Sequence, residues 1–319
     1  MSVYTTVERE ELDTFLAHYS VGELVEYEGI SAGIENTNYF VTTTQGRFVL
    51  TLFEQHEFDE LGYFLDLMAF FADGGVPSAR PIADNAGAFL RHLCDKPAAL
   101  VERLQGGDIK NPNIEQCRIM GETLAQLHLL SPNFTQHRVN TRGHVWRMET
   151  AERLLDRIPE EEGKALLQAE LNYQQQHWSN HLASGVVHAD LFRDNALFHD
   201  GKLAGVIDFY YACNDAFVYD LAVLLNDWCC TDSGGMEEAR FNAMLHAYQA
   251  VRPLPEEEKA SFNTMLRAAA LRFWLSRLQD KLFPKEGELT QIKDPSEFHA
   301  ILNYHVSNNT QLPEFNTTS

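Results

Sequence analysis

Four residues in one short stretch have the types and spacing to move a phosphoryl group onto a hydroxyl. The stretch is VVHADLFRDNALFHDGKLAGVIDF, residues 186–209, and the four are His188, Asp190, Asn195 and Asp208. Ala196-Leu197-Phe198 and Leu203-Ala204-Gly205-Val206-Ile207 read as two apolar strands around His199-Asp200-Gly201-Lys202, a good hairpin turn. A hairpin returns the chain to its start, which places Asp208, just past the second strand, beside Asn195, just before the first. Neighbouring strands lie about 4.8 Å apart, so one carboxylate and one amide oxygen can share a Mg2+ ion, a hard cation that takes oxygen ligands. Asp190, in the loop that enters the hairpin, is placed to accept a proton from a hydroxyl held in line with the phosphate. The plainer reading, a polar turn with Asp190 as a cap, needs three positions to coincide by accident. His188 is expected to brace the loop through hydrogen bonds rather than touch substrate.

The elements that must position these groups fall into two textures. Residues 8–18 read as a short amphipathic helix, and Leu24 to Leu104 is mostly strand-like. Residues 37–41 and 47–53 flank a Thr-Gln-Gly turn and read as a hairpin. One helix interrupts, with Phe58, Leu61, Leu65, Met68 and Phe71 at helical spacing and Gly74-Gly75 ending it. Strands at 88–93 and 98–104 follow, separated by the Asp95-Lys96-Pro97 break. After Gln105-Gly106-Gly107 the pattern turns helical. Asn113 can cap a helix whose apolar face runs Ile114, Cys117, Met120, Leu124 and Leu127. Further helices are expected at 146–157, 161–183, 216–229, 236–251 and 256–282, with a polar tail over 308–319. The expected fold is α+β with two lobes. Residues 1–104 form a small antiparallel-sheet lobe with one helix, the hinge lies at about 100–107, and residues 105–319 form a larger, mainly helical lobe.

Composition excludes several classes. The chain has 319 residues and a formal charge of −21, with 46 acids against 25 bases. Such a polyanion repels nucleic-acid backbone and anionic lipid, so neither is expected as a partner. The five Cys form no CxxC pair, the N-terminus carries acids where a signal peptide needs bases, and no apolar run is long enough to span a bilayer. The reading is a cytoplasmic protein; its oligomeric state is left open. GxxxxGK[ST], GxGxxG and HExxH are all missing. His177 and His181, four apart in an expected helix, have no third ligand for a metal. Gly29-Ile30-Ser31-Ala32-Gly33 has the letters of a hydrolase nucleophile elbow, but a strand follows where that motif needs a helix. Strand, small-residue loop, strand instead describes a flap whose backbone N–H groups can close over phosphates.

His-x-Asp-x-x-x-x-Asn has the spacing of the kinase catalytic loop, and HADLFRDN followed by IDF resembles the aminoglycoside phosphotransferase and choline kinase superfamily. The resemblance spans nearly the whole chain and implies a protein-kinase-like fold that uses ATP and Mg2+. It makes ISAGIENTNY (30–39) the nucleotide-covering loop, with Ser31, Ala32, Gly33, Asn36 and Thr37 as nucleotide contacts. It makes residues 100–107 the hinge that holds adenine, with Glu102 and Leu104, and LAQLH (124–128) the first large-lobe helix. Tyr219-Asp220-Leu221-Ala222 matches the YDLA segment after the metal Asp. Within the superfamily, FVLTLFE (48–54), PAALVERLQGG (97–107), IDFYYACND (207–215), YQAVRPL (248–254) and ALRFWLSRLQD (270–280) resemble bacterial homoserine kinases. That implies phosphorylation of L-homoserine to O-phospho-L-homoserine, a step of threonine biosynthesis.

One departure stands out. Kinases of this fold usually carry a Lys on the third strand to grip the α- and β-phosphates; here the position reads Thr51, and Lys96 is the single Lys of the small lobe. Homoserine kinases of this branch share Leu-Thr-Leu, so phosphate is expected to be held by backbone N–H groups, Mg2+ and hydroxyls. The other reading is a nucleotide-binding relative without catalysis. Tyr210 after Asp208-Phe209 argues against a flipping activation loop. A zwitterionic amino acid needs a cation for its carboxylate and an acid for its ammonium. Arg272 and Arg193 are the candidate cations, Asp215 and Asp227, beside Trp228, the candidate acids. Choline, methylthioribose or an aminoglycoside as acceptor would share every catalytic residue and differ only in the large-lobe helices.

Overall fold

Thr37–Thr43 alternates buried and half-buried residues, the period-2 signature of a strand with one face on a core. In the computed structural model, which describes residues 4–30, 36–231, 233–284 and 293–313, that strand lies within a five-stranded sheet. The chain forms two compact units, residues 1–107 with 197–210, and residues 108–196 with 211–319.

The first unit begins with α1 (Arg9–Leu16), β1 (Leu24–Gly29), β2 (Thr37–Thr43), β3 (Arg47–Leu52), α2 (Phe58–Asp73), β4 (Leu90–Leu93) and β5 (Lys96–Glu102). The sheet order is β1-β2-β3-β5-β4, antiparallel throughout. Leu12, Phe15 and Leu16 of α1 share a core with Tyr39, Val41, Leu50, Leu52, Ala98 and Leu100. The register pairs Thr37 with Leu52 and Asn38 with Thr51, so Thr37 faces this core and Thr51 the opposite side. The break before β5 falls earlier than the sequence suggests. Cys94 (φ 51°) and Asp95 (φ 59°) make the turn, Lys96 pairs with Leu93, and Pro97 lies within the strand. Two consecutive left-handed residues give the hairpin turn that matches strand twist.

The second unit contains α3 (Ile114–Leu130), α4 (His144–Leu155), α5 (Glu161–His177), β6 (Ser184–Val187), β9 (Cys213–Ala216), α6 (Phe217–Trp228), α7 (Glu238–Val251), α8 (Glu256–Leu282) and α9 (Ser296–Asn308), numbered with β7 and β8 described below. Asn113 caps α3 in a reciprocal box with Gln116, as its position predicts. All residues of α6 are buried, which marks it as the central helix of this unit. α5 ends at His177, short of the expected 183: Trp178 takes an extended backbone and stacks on His144. His177 and His181 therefore do not share a helix. α9, which the sequence reading leaves out, buries Phe298, Ile301, Leu302 and His305 at helical spacing. Residues 314–319 of the expected tail lie outside the described residues. No helix among the described residues is long and apolar enough to cross a membrane.

Between β6 and β9 the chain makes the expected hairpin, β7 (Ala196–His199) and β8 (Lys202–Val206), turning at Asp200 (φ 49°) and Gly201 (φ 77°). Most of it groups with the first unit. Phe198 exchanges both backbone hydrogen bonds with Gly107, and Val206 bridges to Ser78. Gly106 (φ 96°) permits that approach, since a Cβ there would stand 2.2 Å from the Phe198 carbonyl oxygen.

Candidate active site

β6 delivers the chain into the His188–Asn195 loop through a strained residue. Ala189 has φ 61°, a left-handed conformation that an alanine adopts only when its surroundings impose it. Asp220, fully buried on α6, imposes it: Oδ2 accepts the His188 N–H at 2.8 Å and Oδ1 the Ala189 N–H at 2.7 Å. His128 Nε2 sits 3.1 Å from the same Oδ2. Burial pushes the Asp220 carboxyl upward, but His128 and the backbone donors outweigh it and hold its pKa below the ordinary range. His188 is buried and its Nδ1 accepts the Asp190 N–H at 3.3 Å.

Asp190 is fixed at both ends of its residue. Its carbonyl accepts the Asn195 Nδ2–H at 2.8 Å and the Phe192 N–H at 2.8 Å. Arg272 Nη1 lies 3.3 Å from its Oδ1. The bond through Nδ2 turns the amide's donor side to Asp190, and its Oδ1 is the acceptor side. The loop's far side is held by the end of α6. Asp227 Oδ2 accepts the Arg193 N–H at 2.7 Å and its Nε–H at 3.1 Å, and the Trp228 indole donates to the Leu191 carbonyl at 3.2 Å.

These contacts sort the four charged substrate candidates. Arg193 spends its donors on Asp227 and, through Nη1, on the Lys110 carbonyl at 2.8 Å. Asp227 and Trp228 are buried, with burial raising the Asp227 carboxyl. All three contact the loop or belong to it in this structure. Arg272 differs: it is 5% exposed, stacks between Tyr211 (5.1 Å) and Phe273 (3.7 Å), and commits one nitrogen to Asp190. Asp215 on β9 is half-buried, and its Oδ2 accepts from Asn140 at 2.5 Å. Residues 138–140 are clipped to β9 by the mutual backbone and side-chain bonds of Arg138 with Asn214.

In the first unit, Asp208 follows β8 with φ 64°, and aromatic packing fixes the residues behind it. Phe209 tilts on Phe71 at 5.9 Å, while Tyr210 meets Phe53 (5.2 Å) and Phe64 (5.7 Å) edge-on. Burial, with the Asp208 charge, pushes the Tyr210 phenol far up. On β3, the Thr51 hydroxyl donates to Asn38 Oδ1 at 2.8 Å, an amide that sequence reasoning missed. Thr37 is turned away from this face: its hydroxyl accepts the Tyr4 and Thr5 N–H groups and donates to Glu54 at 2.6 Å. Lys96 pairs with Glu54 at 2.8 Å and is thereby committed. Asn36 is buried beside Asn38, Glu102 closes β5 with an exposed side chain, and Leu104 is half-buried near Gly205. Ser31, Ala32 and Gly33 lie outside the described residues.

Sequence comparison places this geometry. The model of the phosphotransferase enzyme family matches residues 26–254. A homoserine kinase of Methylobacillus flagellatus is 47% identical over 312 residues, covering 98% of each chain, and one of Neisseria meningitidis serogroup B is 45% identical over 302 residues, covering 95% of this chain and 99% of its own. Among solved structures, a spectinomycin phosphotransferase in complex with ADP and spectinomycin aligns with TM-score 0.70 at 12% identity, covering 95% of this chain and 99% of that one. An amicoumacin kinase in complex with AMP-PNP and Ca2+ aligns with TM-score 0.69 at 15% identity, covering 94% and 92%. At those identities the likeness is one of fold, the protein-kinase-like α+β fold expected from the sequence. The chain belongs to the phosphotransferase enzyme family and, within it, to the homoserine kinases.

Proposed function

We propose that the chain transfers the γ-phosphoryl of ATP to the side-chain hydroxyl of L-homoserine, with Asp190 as the base. The observation that carries the reading is the bracing of Asp190, on a strained loop, beside a buried guanidinium with donors to spare. Phosphoryl transfer passes through a loose transition state, so catalysis is mainly positioning and charge stabilisation. Asp190 orients the hydroxyl and takes its proton; His188, Asp220, Arg193, Asp227 and Trp228 keep it in place.

Asn195 and Asp208 are the proposed Mg2+ ligands. They fit: one offers an amide oxygen, the other a carboxylate, on the two flanks of one hairpin, and Mg2+ takes few protein ligands while phosphates and water complete its shell. When bound, the ion neutralises phosphate charge. Ser31, Ala32, Gly33 and Asn36 cover the phosphates through backbone and amide N–H groups, with Thr51 and Asn38 on the sheet face where other kinases place a Lys. Glu102 and Leu104 line the adenine end. Arg272 takes the substrate carboxylate and Asp215 its ammonium. A cytoplasmic setting suits an ATP-dependent enzyme whose described cysteines are all free.

The test compares homoserine with 3-aminopropanol, which lacks the carboxylate. A site that leaves its buried cation unpaired rejects the analogue by at least about 10³ in kcat/KM. Arg272→Ala narrows that gap by raising KM for homoserine while KM for ATP holds. An equal preference for the two alcohols in the wild type contradicts the homoserine reading.

A further inference from the structure

A buried chain of polar side chains runs from the Asp190 loop to Tyr248 and Arg252 of the YQAVRPL string, and its hydrogen-bond directions are set from the far end. Arg252 can only donate. Its Nη1 donates to the Tyr248 phenol oxygen at 3.0 Å, and its Nη1 and Nη2 meet the two Glu258 carboxylate oxygens at 2.8 and 2.7 Å. A phenol has one proton. With Arg252 donating to its oxygen, the arrangement that pairs every group sends that proton to the other partner, His128 Nδ1, 2.8 Å away. Nδ1 is then an acceptor, and the ring proton sits on Nε2, 3.1 Å from Asp220 Oδ2. Burial lowers the pKa of the His128 imidazole against the pull of Asp220, which favours a neutral ring carrying this single proton. The other tautomer turns a nitrogen lone pair toward the Asp220 carboxylate. Phe217, 4.7 Å from the imidazole by ring centroids, and the Tyr248 ring, 5.7 Å away, pack against it.

We propose that Tyr248 and Arg252 are positioning residues of the phosphoryl transfer: they fix His128 as its Nε2–H tautomer and thereby complete the donor set of Asp220. Asp220 is the group that holds Ala189 in its left-handed conformation, one residue before Asp190. A weakened Asp220 lets Ala189 relax and Asp190 drift. The proposal rests on the reading of Asp190 as the base.

The full-length protein labelled with 15N-histidine reports the tautomer directly. Long-range proton–nitrogen spectra are expected to show His128 with a bare Nδ1 and a protonated Nε2 at neutral pH. Tyr248→Phe keeps the ring in place and removes the donor to Nδ1. It is expected to lower kcat about tenfold, the equivalent of one hydrogen bond lost from the transition state, with both KM values held to about twofold. Arg252→Lys, which still donates, keeps the Nε2–H pattern. A wild-type His128 protonated on Nδ1, or on both nitrogens, overturns the proposal, and so does a folded Tyr248→Phe enzyme with wild-type kcat. If Tyr248→Phe fails to fold, the wild-type spectrum still tests the tautomer on which the proposal depends, and an Nδ1–H ring overturns it. A wild type that turns over no homoserine would instead sink the assigned reaction and leave the tautomer result standing.

Discussion

Asp190 is held by a carbonyl bond to Asn195, an ion pair with Arg272 and a strained neighbour locked by Asp220. Its carboxylate is thus held in one place, as the proposed proton transfer requires. Asp190→Asn is expected to lower kcat by about 10² to 10⁴ while ATP affinity stays near wild type; single-turnover rates with an unchanged chemical step would remove Asp190 from the mechanism. Asp208→Ala is expected to abolish Mg2+-dependent turnover in a protein that still folds, because the phosphate charge loses its main counter-ion; a folded variant keeping more than a few per cent of the wild-type rate would refute the ligand assignment. Asp190, Asn195 and Asp208 can be proposed from sequence because one loop and one hairpin carry them all. Asp220, His128 and Asn38 cannot, since each finds its partner through tertiary contact: Asp220 lies thirty-two residues from the His188 N–H it accepts and ninety-two from His128. Arg193, Asp227 and Trp228 show the converse. Their types suggest a ligand site, while Arg193 and Asp227 are bonded to each other and the Trp228 indole to the Leu191 carbonyl.

At the scale of elements, α6 is a beam under the reactive loop. Asp220 near its start and Asp227 and Trp228 at its end hold the loop at three points. Removing one point should cost both stability and rate. Trp228→Phe keeps the aromatic volume but leaves the Leu191 carbonyl without its buried donor, which is expected to cost about 1 to 3 kcal/mol in urea unfolding and to lower kcat. An unchanged unfolding midpoint would show that the indole bond contributes nothing. The helices with strong apolar periodicity were legible, α8 at both ends. The boundaries that slipped are those set by local backbone chemistry, such as the Cys94-Asp95 turn and the extended Trp178. α9 stayed hidden because its buried face has only three apolar residues, Phe298, Ile301 and Leu302, in a polar segment.

For the molecule as a whole, buried neutral histidines tie stability to pH. Burial, with Arg267 nearby, pushes His305 down to about 3, and its ring nitrogens bind Asn226 and Thr310 at 2.8 and 2.9 Å. The unfolded chain binds this proton near pH 6.5 while the folded one resists it, so the stabilisation is full above 6.5 and lost as pH falls toward 3. Between pH 7 and 5 the loss amounts to about 2 kcal/mol for this one group. His305→Gln should flatten the fall in urea midpoint over that range; an equal fall in the variant would place the acid sensitivity elsewhere. The net charge of −21 adds self-repulsion that salt relieves.

The central claim is that an ATP-dependent kinase with a neutral Thr51 in place of the usual Lys acts on homoserine. ADP release measured with Mg-ATP, offering homoserine, choline, methylthioribose and kanamycin in turn, tests it most directly. Release that depends on homoserine, with O-phosphohomoserine as the product, is the predicted result. Faster turnover of any other acceptor, or no acceptor-dependent release at all, would contradict it.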